Sequence, residues 1–548
     1  MRTILIMLAI YGCETSDTKT DETIYVDGDA YRLVIHPITS DSQSDIFASS
    51  DAIQLVVRQS DGTTTTHVLG QKHTSGLPQN GAVPPLDGAQ LTLLGRQDAQ
   101  IIFHGTTGPV TAITGEHEVS IFVALNGDPV DLDPLPAPSA FSPMVATGNG
   151  NFYIFGGSDD GVKEPESSRT IVHIDLANAE TGLTPTTLEA ALPEPEAGTG
   201  WMAHTATAII GTSDIAGQVV IAGGSPYFLS GGLGNIIGGE HATNQTFLFD
   251  PSSQTLTEAD ELSHKRYGHQ AVSNHRGEIV VLGGMAQHDT SIVMAEFIEI
   301  FDPTTQRWST RADVLTAGCL FQGAARLGEQ GVLVCGGINA EFEYTSTCQL
   351  VTPNGVLETA DPLEQSLVWP HMVTLDDGRV LLTGGMVTDG MSFDSFYDLY
   401  DLELAASERA WIYEAGAWRE IGSMRNARAM HTSVALPGGR VLIAGGVSGI
   451  DPEAERLDSY NSGLFFDYSG AIACAEIFDP ETEVFTAVEP CGPGSAAATL
   501  PERTLLPAVA SDPVYGALVA GGIGVDKGQS VDNVILFHPT YDGSELGE

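Results

Sequence analysis

Short apolar runs closed by Gly-Gly recur seven times along the chain: YIFGG at 153–157, VIAGG at 220–224, VVLGG at 280–284, LVCGG at 333–337, LLTGG at 381–385, LIAGG at 442–446 and LVAGG at 518–522. Successive second glycines lie 67, 60, 53, 48, 61 and 76 residues apart, the interval of a four-stranded unit with loops of variable length. Before each Gly-Gly stands an apolar strand and a tight turn, as in HTSVALPGGRVLIAGG (431–446). After it a third strand ends in a turn, as in EIFDPTTQRW (299–308) and EIFDPETEVF (476–485), where Asp-Pro and small polar residues turn the chain. A fourth strand follows, as in AWREIGSM (417–424). No long stretch has helical periodicity, so the pattern predicts an all-β chain of short strands.

Residues 24–127 lack the Gly-Gly pattern but alternate apolar and polar positions. Strands are predicted at 30–38, 52–59, 89–96, 99–105 and 117–125, with turns rich in Gly, Asp and Ser between them. That density of strands predicts a β-sandwich of immunoglobulin-like type, which on an anchored protein serves as a spacer.

The Gly-Gly at the end of a second strand, an aromatic near Trp308 or Trp418, and a basic/histidine pair opening the next unit together resemble the kelch repeat. The resemblance covers residues 128–548 and implies a seven-bladed kelch-type β-propeller of galactose oxidase-like architecture. The seventh unit ends one strand short, and VDLDPL at 130–135 is the expected donor of that strand, closing the ring. The domain order is then 1–13 signal peptide, 14–23 tether, 24–127 sandwich and 128–548 propeller.

Composition adds an address and an exclusion. Acidic residues number 71 against 23 basic ones, a net charge of −48, which repels nucleic acid and anionic headgroups. Only five lysines occur, a balance seen both in salt-adapted proteins and in acidic exported ones. Thr3 to Gly12 is apolar but too short to span a bilayer, and Ile10-Tyr11-Gly12-Cys13 resembles a bacterial lipobox. Cys13 is the expected lipidation site. The chain is therefore expected at the bacterial cell envelope, on the outer membrane or cell surface, touching membrane only through that anchor; plain secretion is the alternative. Among the other cysteines, Cys335 with Cys348 and Cys474 with Cys491 are candidate disulfides on paired strands, leaving Cys319 over, on the strand expected to pair with Cys335.

Candidate chemistry gathers where strand-one openings meet the loops between strands two and three. The openings carry Trp201 and His204; Arg266, Tyr267 and His269; Trp369 and His371; Arg428 and His431. The enlarged loops 225–243, 386–408 and 447–471 bring Phe393, Tyr397, Tyr460 and Phe466 to the same rim. Aromatic rings with a few arginines suit a protein or glycan partner outside the cytoplasm, so the first expectation is a surface-anchored binding or scaffold protein without cofactor. The alternative is a carbohydrate-active enzyme in the central depression. Kelch-like propellers include metal-free sugar mutarotases, for which His269, His431 and Arg266 are available, and copper radical oxidases, whose tyrosine and histidine set is not evident here. No metal-binding motif is present.

Overall fold

The computed structural model describes residues 23–541, apart from 41–42, 44–45, 71–74, 77, 99, 160–166, 179–182, 196–199, 227–240, 289–290, 312–313, 388–403, 451–471, 489–498, 501–502 and 525–528. Cys13, Phe393, Tyr397, Tyr460, Phe466 and Cys491 lie outside the described residues. The chain divides into two compact units, one reaching Leu125 and one beginning at Asn126.

The first unit is built of two sheets. One carries Tyr31–Ile38 between Ile24–Asp27 and Gly115–Phe122, the last in parallel register from Tyr31 opposite Gly115 to Ile38 opposite Phe122. The other orders Ala124–Leu125, Gln100–Thr106, Leu86–Gln97, Ala52–Arg58 and Thr64–Gly70. Alternation of the kind seen in Ala52–Arg58 turns Ile53, Leu55 and Val57 into one core with Leu33, Ile35, Leu91, Leu93 and Phe103. The strands Ile24–Asp27 and Thr64–Gly70 carry too little alternation to stand out in the sequence.

The second unit carries seven four-stranded antiparallel sheets among the described residues, with smaller two- and three-stranded sheets beside them. Each second strand ends at its Gly-Gly: Asn151–Phe155, Val219–Ala222, Ile279–Leu282, Gly331–Cys335, Val380–Thr383, Val441–Ala444 and Gly516–Ala520. These strands are buried on both faces, which is why they read as unbroken apolar runs, whereas fourth strands such as Thr255–Glu258 and Ala417–Glu420 are largely exposed. Apolar clusters fill the spaces between neighbouring sheets; Tyr153, Phe155, Ile221 and Phe249, for example, pack blades 1 and 2 together. The innermost strands touch in order, and Ala508–Asp512 of blade 7 touches Met144–Gly148 of blade 1. The missing outer strand of blade 7 is Pro129–Asp131, which pairs with Val534–Phe537, Val130 opposite Leu536. The unit is a β-propeller.

The diglycines are steric necessities. Gly384 and Gly385 sit at φ of +59° and +101°, and a Cβ on Gly384 would lie 2.1 Å from the Arg428 carbonyl oxygen of the next blade. The close approach allows the second glycine's N–H to donate to that neighbouring blade. The bond recurs around the ring, from Gly157 to Trp201 at 2.8 Å through to Gly522 back to Ser139 at 2.7 Å.

Cys335 and Cys348 stand opposite each other and are disulfide-bonded, S–S 2.01 Å. Cys474 is also disulfide-bonded. Cys319 is a free thiol that burial pushes up to about 12. It precedes the strand Gly323–Leu327 rather than lying on it, and Gly323 is the residue opposite Cys335.

Candidate functional site

Each blade opens on a residue with left-handed backbone: Phe141, Ala203, Gly268, Phe321, Trp369, Met430 and Leu506, with φ from 49° at Leu506 to 64° at Gly268. The residue before it bridges to the one just after the same blade's diglycine, as Ala140 to Ser158, Tyr267 to Met285 and Val368 to Met386. The first strand therefore kinks at the left-handed residue, as at a bulge, and the kink re-aims side chains toward the axis. Backbone bonds tie successive kinks together: Ala203 N–H to Phe141 O at 3.2 Å, Gly268 to Ala203 at 2.8 Å, Trp369 to Phe321 at 2.8 Å and Leu506 to Met430 at 3.0 Å.

These kinks surround a cavity of about 290 Å³. Its collar is apolar: Phe141, Ala203, Phe321, Trp369 and Leu506 are half-buried, with Met430 more deeply set. Phe321 and Trp369 pack ring against ring, centroids 4.2 Å apart. The lining also holds His204, His269, Gln322 and His431, each directly after its blade's left-handed residue, and His371, two residues after Trp369.

Burial holds these imidazoles neutral. His204 and His371 are lowered to about 4 by desolvation. His269 is lowered well below its ordinary value by desolvation, then by Arg266 and His204, and His431 by desolvation, then by His371 and Arg428. His269 Nε2 is 3.0 Å from Thr205 Oγ1, and His431 Nε2 is 2.8 Å from Thr383 Oγ1. The two arginines are fully buried and paired away from the cavity. Arg266 pairs with Glu299 at 2.8 Å and Arg428 with Glu476 at 2.6 Å, all four side chains shut from solvent. At neutral pH no lining residue among those described carries a charge.

Of the candidates read from the sequence, His204, His269, Trp369, His371 and His431 come together around the cavity. Trp201, Arg266, Tyr267 and Arg428 do not line it. Trp201 packs between blades 1 and 2 and donates Nε1–H to the Pro193 carbonyl at 2.7 Å, and Tyr267 is buried in the apolar ring behind the collar. Sequence reasoning missed Phe141, Phe321, Gln322, Met430 and Leu506. Aligning the units on their diglycines places all five at or beside one repeat position.

A copper radical centre takes two imidazoles, a tyrosine and a cysteine-linked tyrosine. Among the described residues the lining has no tyrosine or cysteine, and two of its imidazoles already hold threonine hydroxyls. The residues do not fit that group. Nor, among the described residues, do three or more His, Cys, Asp or Glu side chains gather as a metal set.

No family model matches the chain, and no curated protein does. Among solved structures it is similar to YjhT, with 17% identity over 65% of this chain and 99% of that one, TM-score 0.43. It is also similar to a fungal alcohol oxidase of the AA5 family in complex with copper, with 16% identity over 76% of each chain, TM-score 0.48. At these levels neither bears on what this chain does.

Proposed function

We propose that this chain is a carbohydrate-active protein that takes an uncharged sugar into the central cavity. The observation that carries the reading is the make-up of the site, an apolar, largely half-buried collar containing the Phe321–Trp369 pair together with four neutral imidazoles, three of them buried. A sugar ring has an apolar C–H face and a hydroxyl edge, and this set of groups meets both. Acidic sugars are disfavoured, because the nearby arginines Arg266 and Arg428 are already neutralised by Glu299 and Glu476. A neutral imidazole accepts or donates a hydroxyl proton, which is the chemistry that metal-free anomer interconversion requires.

Calorimetric titration of the protein with D-glucose, D-galactose, D-mannose and N-acetyl-D-glucosamine tests this. Binding by at least one, weakened tenfold or more by Trp369→Ala, is expected. No heat from any of them, or heat unaffected by Trp369→Ala, overturns the reading.

A second reading rests on the loops. Leu404–Ala405 pairs with Gly449–Ile450, which ties the enlarged loops of blades 5 and 6 to each other. That pairing supports a rim that recognises an envelope protein or glycan, with the chain tethered through Cys13. Shortening 386–408 and 447–471 to Gly-Ser turns abolishes partner capture on this reading and leaves sugar binding in the cavity intact.

A further inference from the structure

Four imidazoles meet at the cavity, and the repeat accounts for three of them. His204, His269 and His431 each follow directly on their blade's left-handed residue and lay Cε1 against the first glycine of the preceding blade. The distances from a Cβ built at Gly156, Gly223 and Gly384 to those carbons are 3.0, 2.8 and 3.0 Å. Gln322 takes the same place in blade 4, its Nε2 2.6 Å from a Cβ at Gly283. These side chains are blade-to-blade packing groups, and their nitrogens are closed off or engaged. Both nitrogens of His204 are buried, as is Nδ1 of His269 and of His431, while Nε2 of the latter two faces threonine.

Blade 5 departs from this register. Pro370 follows the left-handed Trp369, so the histidine is displaced by one residue to 371. In a strand a one-residue shift turns a side chain to the other face. His371 accordingly packs on no diglycine, makes no ring hydrogen bond among the described residues, and is the only one of the four that is half-buried rather than buried. Its Nδ1 is closed off, which leaves Nε2 as its open nitrogen. Its ring lies 5.9 Å from that of His431 and directly follows the Trp369–Pro370 part of the collar.

We infer that His371, through Nε2, is the imidazole that meets a ligand in the central cavity, and that His204, His269 and His431 are structural. This rests on the sugar reading for the ligand's class but not for the choice of residue. A neutral Nε2 lining the same cavity as the Trp369 ring suits a hydroxyl on the edge of a sugar whose face lies on that ring.

The test uses the whole protein and a small acylating probe. Diethyl pyrocarbonate at pH 7 is followed by peptide mapping of the carbethoxylated histidines. His371 is expected to react at least tenfold faster than His204, His269 or His431, and the sugar that gives heat in calorimetry is expected to slow it. Faster reaction at any of the other three, or equal rates at all four, overturns the inference. Fast reaction at His371 that none of the four sugars slows supports the choice of residue and counts against the sugar. His371→Gln provides the second arm: a tenfold loss of sugar affinity with an unchanged melting temperature is expected. Unchanged affinity overturns the assignment.

Discussion

Blades 5 and 6 stand side by side with the same strand order and the same diglycine, yet their openings are built from opposite materials. In blade 6, Arg428 on the way into the first strand meets Glu476 on the third, and Glu476 also accepts from the Arg425 and Asn426 backbone N–H groups at 2.7 and 3.1 Å. At the same two positions blade 5 has Leu367 and Trp411, both members of one apolar cluster. Blade 6 then places His431 on the repeat position against Gly384, whereas blade 5 places Pro370 there and moves His371 on by one. The comparison teaches that the fold requires something to fill the opening and cover the diglycine, and is indifferent to polarity. Of these two blades, the one with the apolar opening has an imidazole left over, although blade 2, with Trp201 and Phe247 at those positions, keeps His204 against Gly156.

The largest effect comes from breaking the polar version on one side. Glu476→Ala leaves Arg428 charged and buried, and is expected to lower unfolding free energy by about 3–5 kcal/mol in urea titration. Arg428→Leu combined with Glu476→Met, closer to the blade 5 arrangement, is expected to recover most of that loss. If the double variant is no better than the single one, the two openings are not equivalent.

Acid is expected to come next. A histidine held neutral in the fold, with its value lowered, binds its proton in the unfolded chain first. The stability such a group confers is therefore complete above its unfolded value near 6.5 and is lost as pH falls toward its folded value. For His204, lowered to about 4, the full loss is on the order of 3 kcal/mol. Melting temperature should fall steadily from pH 6.5 to 4, and His204→Gln should flatten the curve. A profile unchanged by that substitution would place the acid sensitivity elsewhere.

The smallest effect separates glycines that face the next blade from those that do not. Gly438 has φ of +83° and nothing within 4 Å of a Cβ, so Gly438→Ala is expected to cost about 1 kcal/mol from backbone conformation alone. Gly384→Ala adds a collision with the Arg428 carbonyl and is expected to cost clearly more. Equal melting temperatures for the two variants would contradict the steric account of the diglycine.

Much of the propeller is legible in the sequence because its repeat is covalent and local. Val380–Thr383 and Val441–Ala444 announce themselves as buried strands because both faces are covered, and Gly-Gly follows because only glycine tolerates the close approach of the next blade. Val130 is legible as part of the closing strand because blade 7 visibly lacks one. The collar is not legible in this way. Phe141, Ala203, Gly268, Phe321, Trp369, Met430 and Leu506 share no side-chain chemistry; they share a backbone angle, which no residue type here declares. Arg266 and Arg428 mislead for a different reason. They stand beside histidines as a binding arginine would, but their carboxylate partners are 33 and 48 residues further on.

The sequence alone, then, determined the number and order of repeats, the strands within them and the glycines at their joints, since each follows from alternation, turn chemistry or the absence of a Cβ. Tertiary structure decided which polar side chains remain available. That depends on what each one meets across the gap between blades: Glu299 and Glu476 silence two arginines, three diglycines and two threonines occupy three histidines, and the one-residue displacement at Pro370 leaves His371 facing the cavity. Pairings between residues tens of positions apart carry no local signature, so only the closed ring of blades makes them.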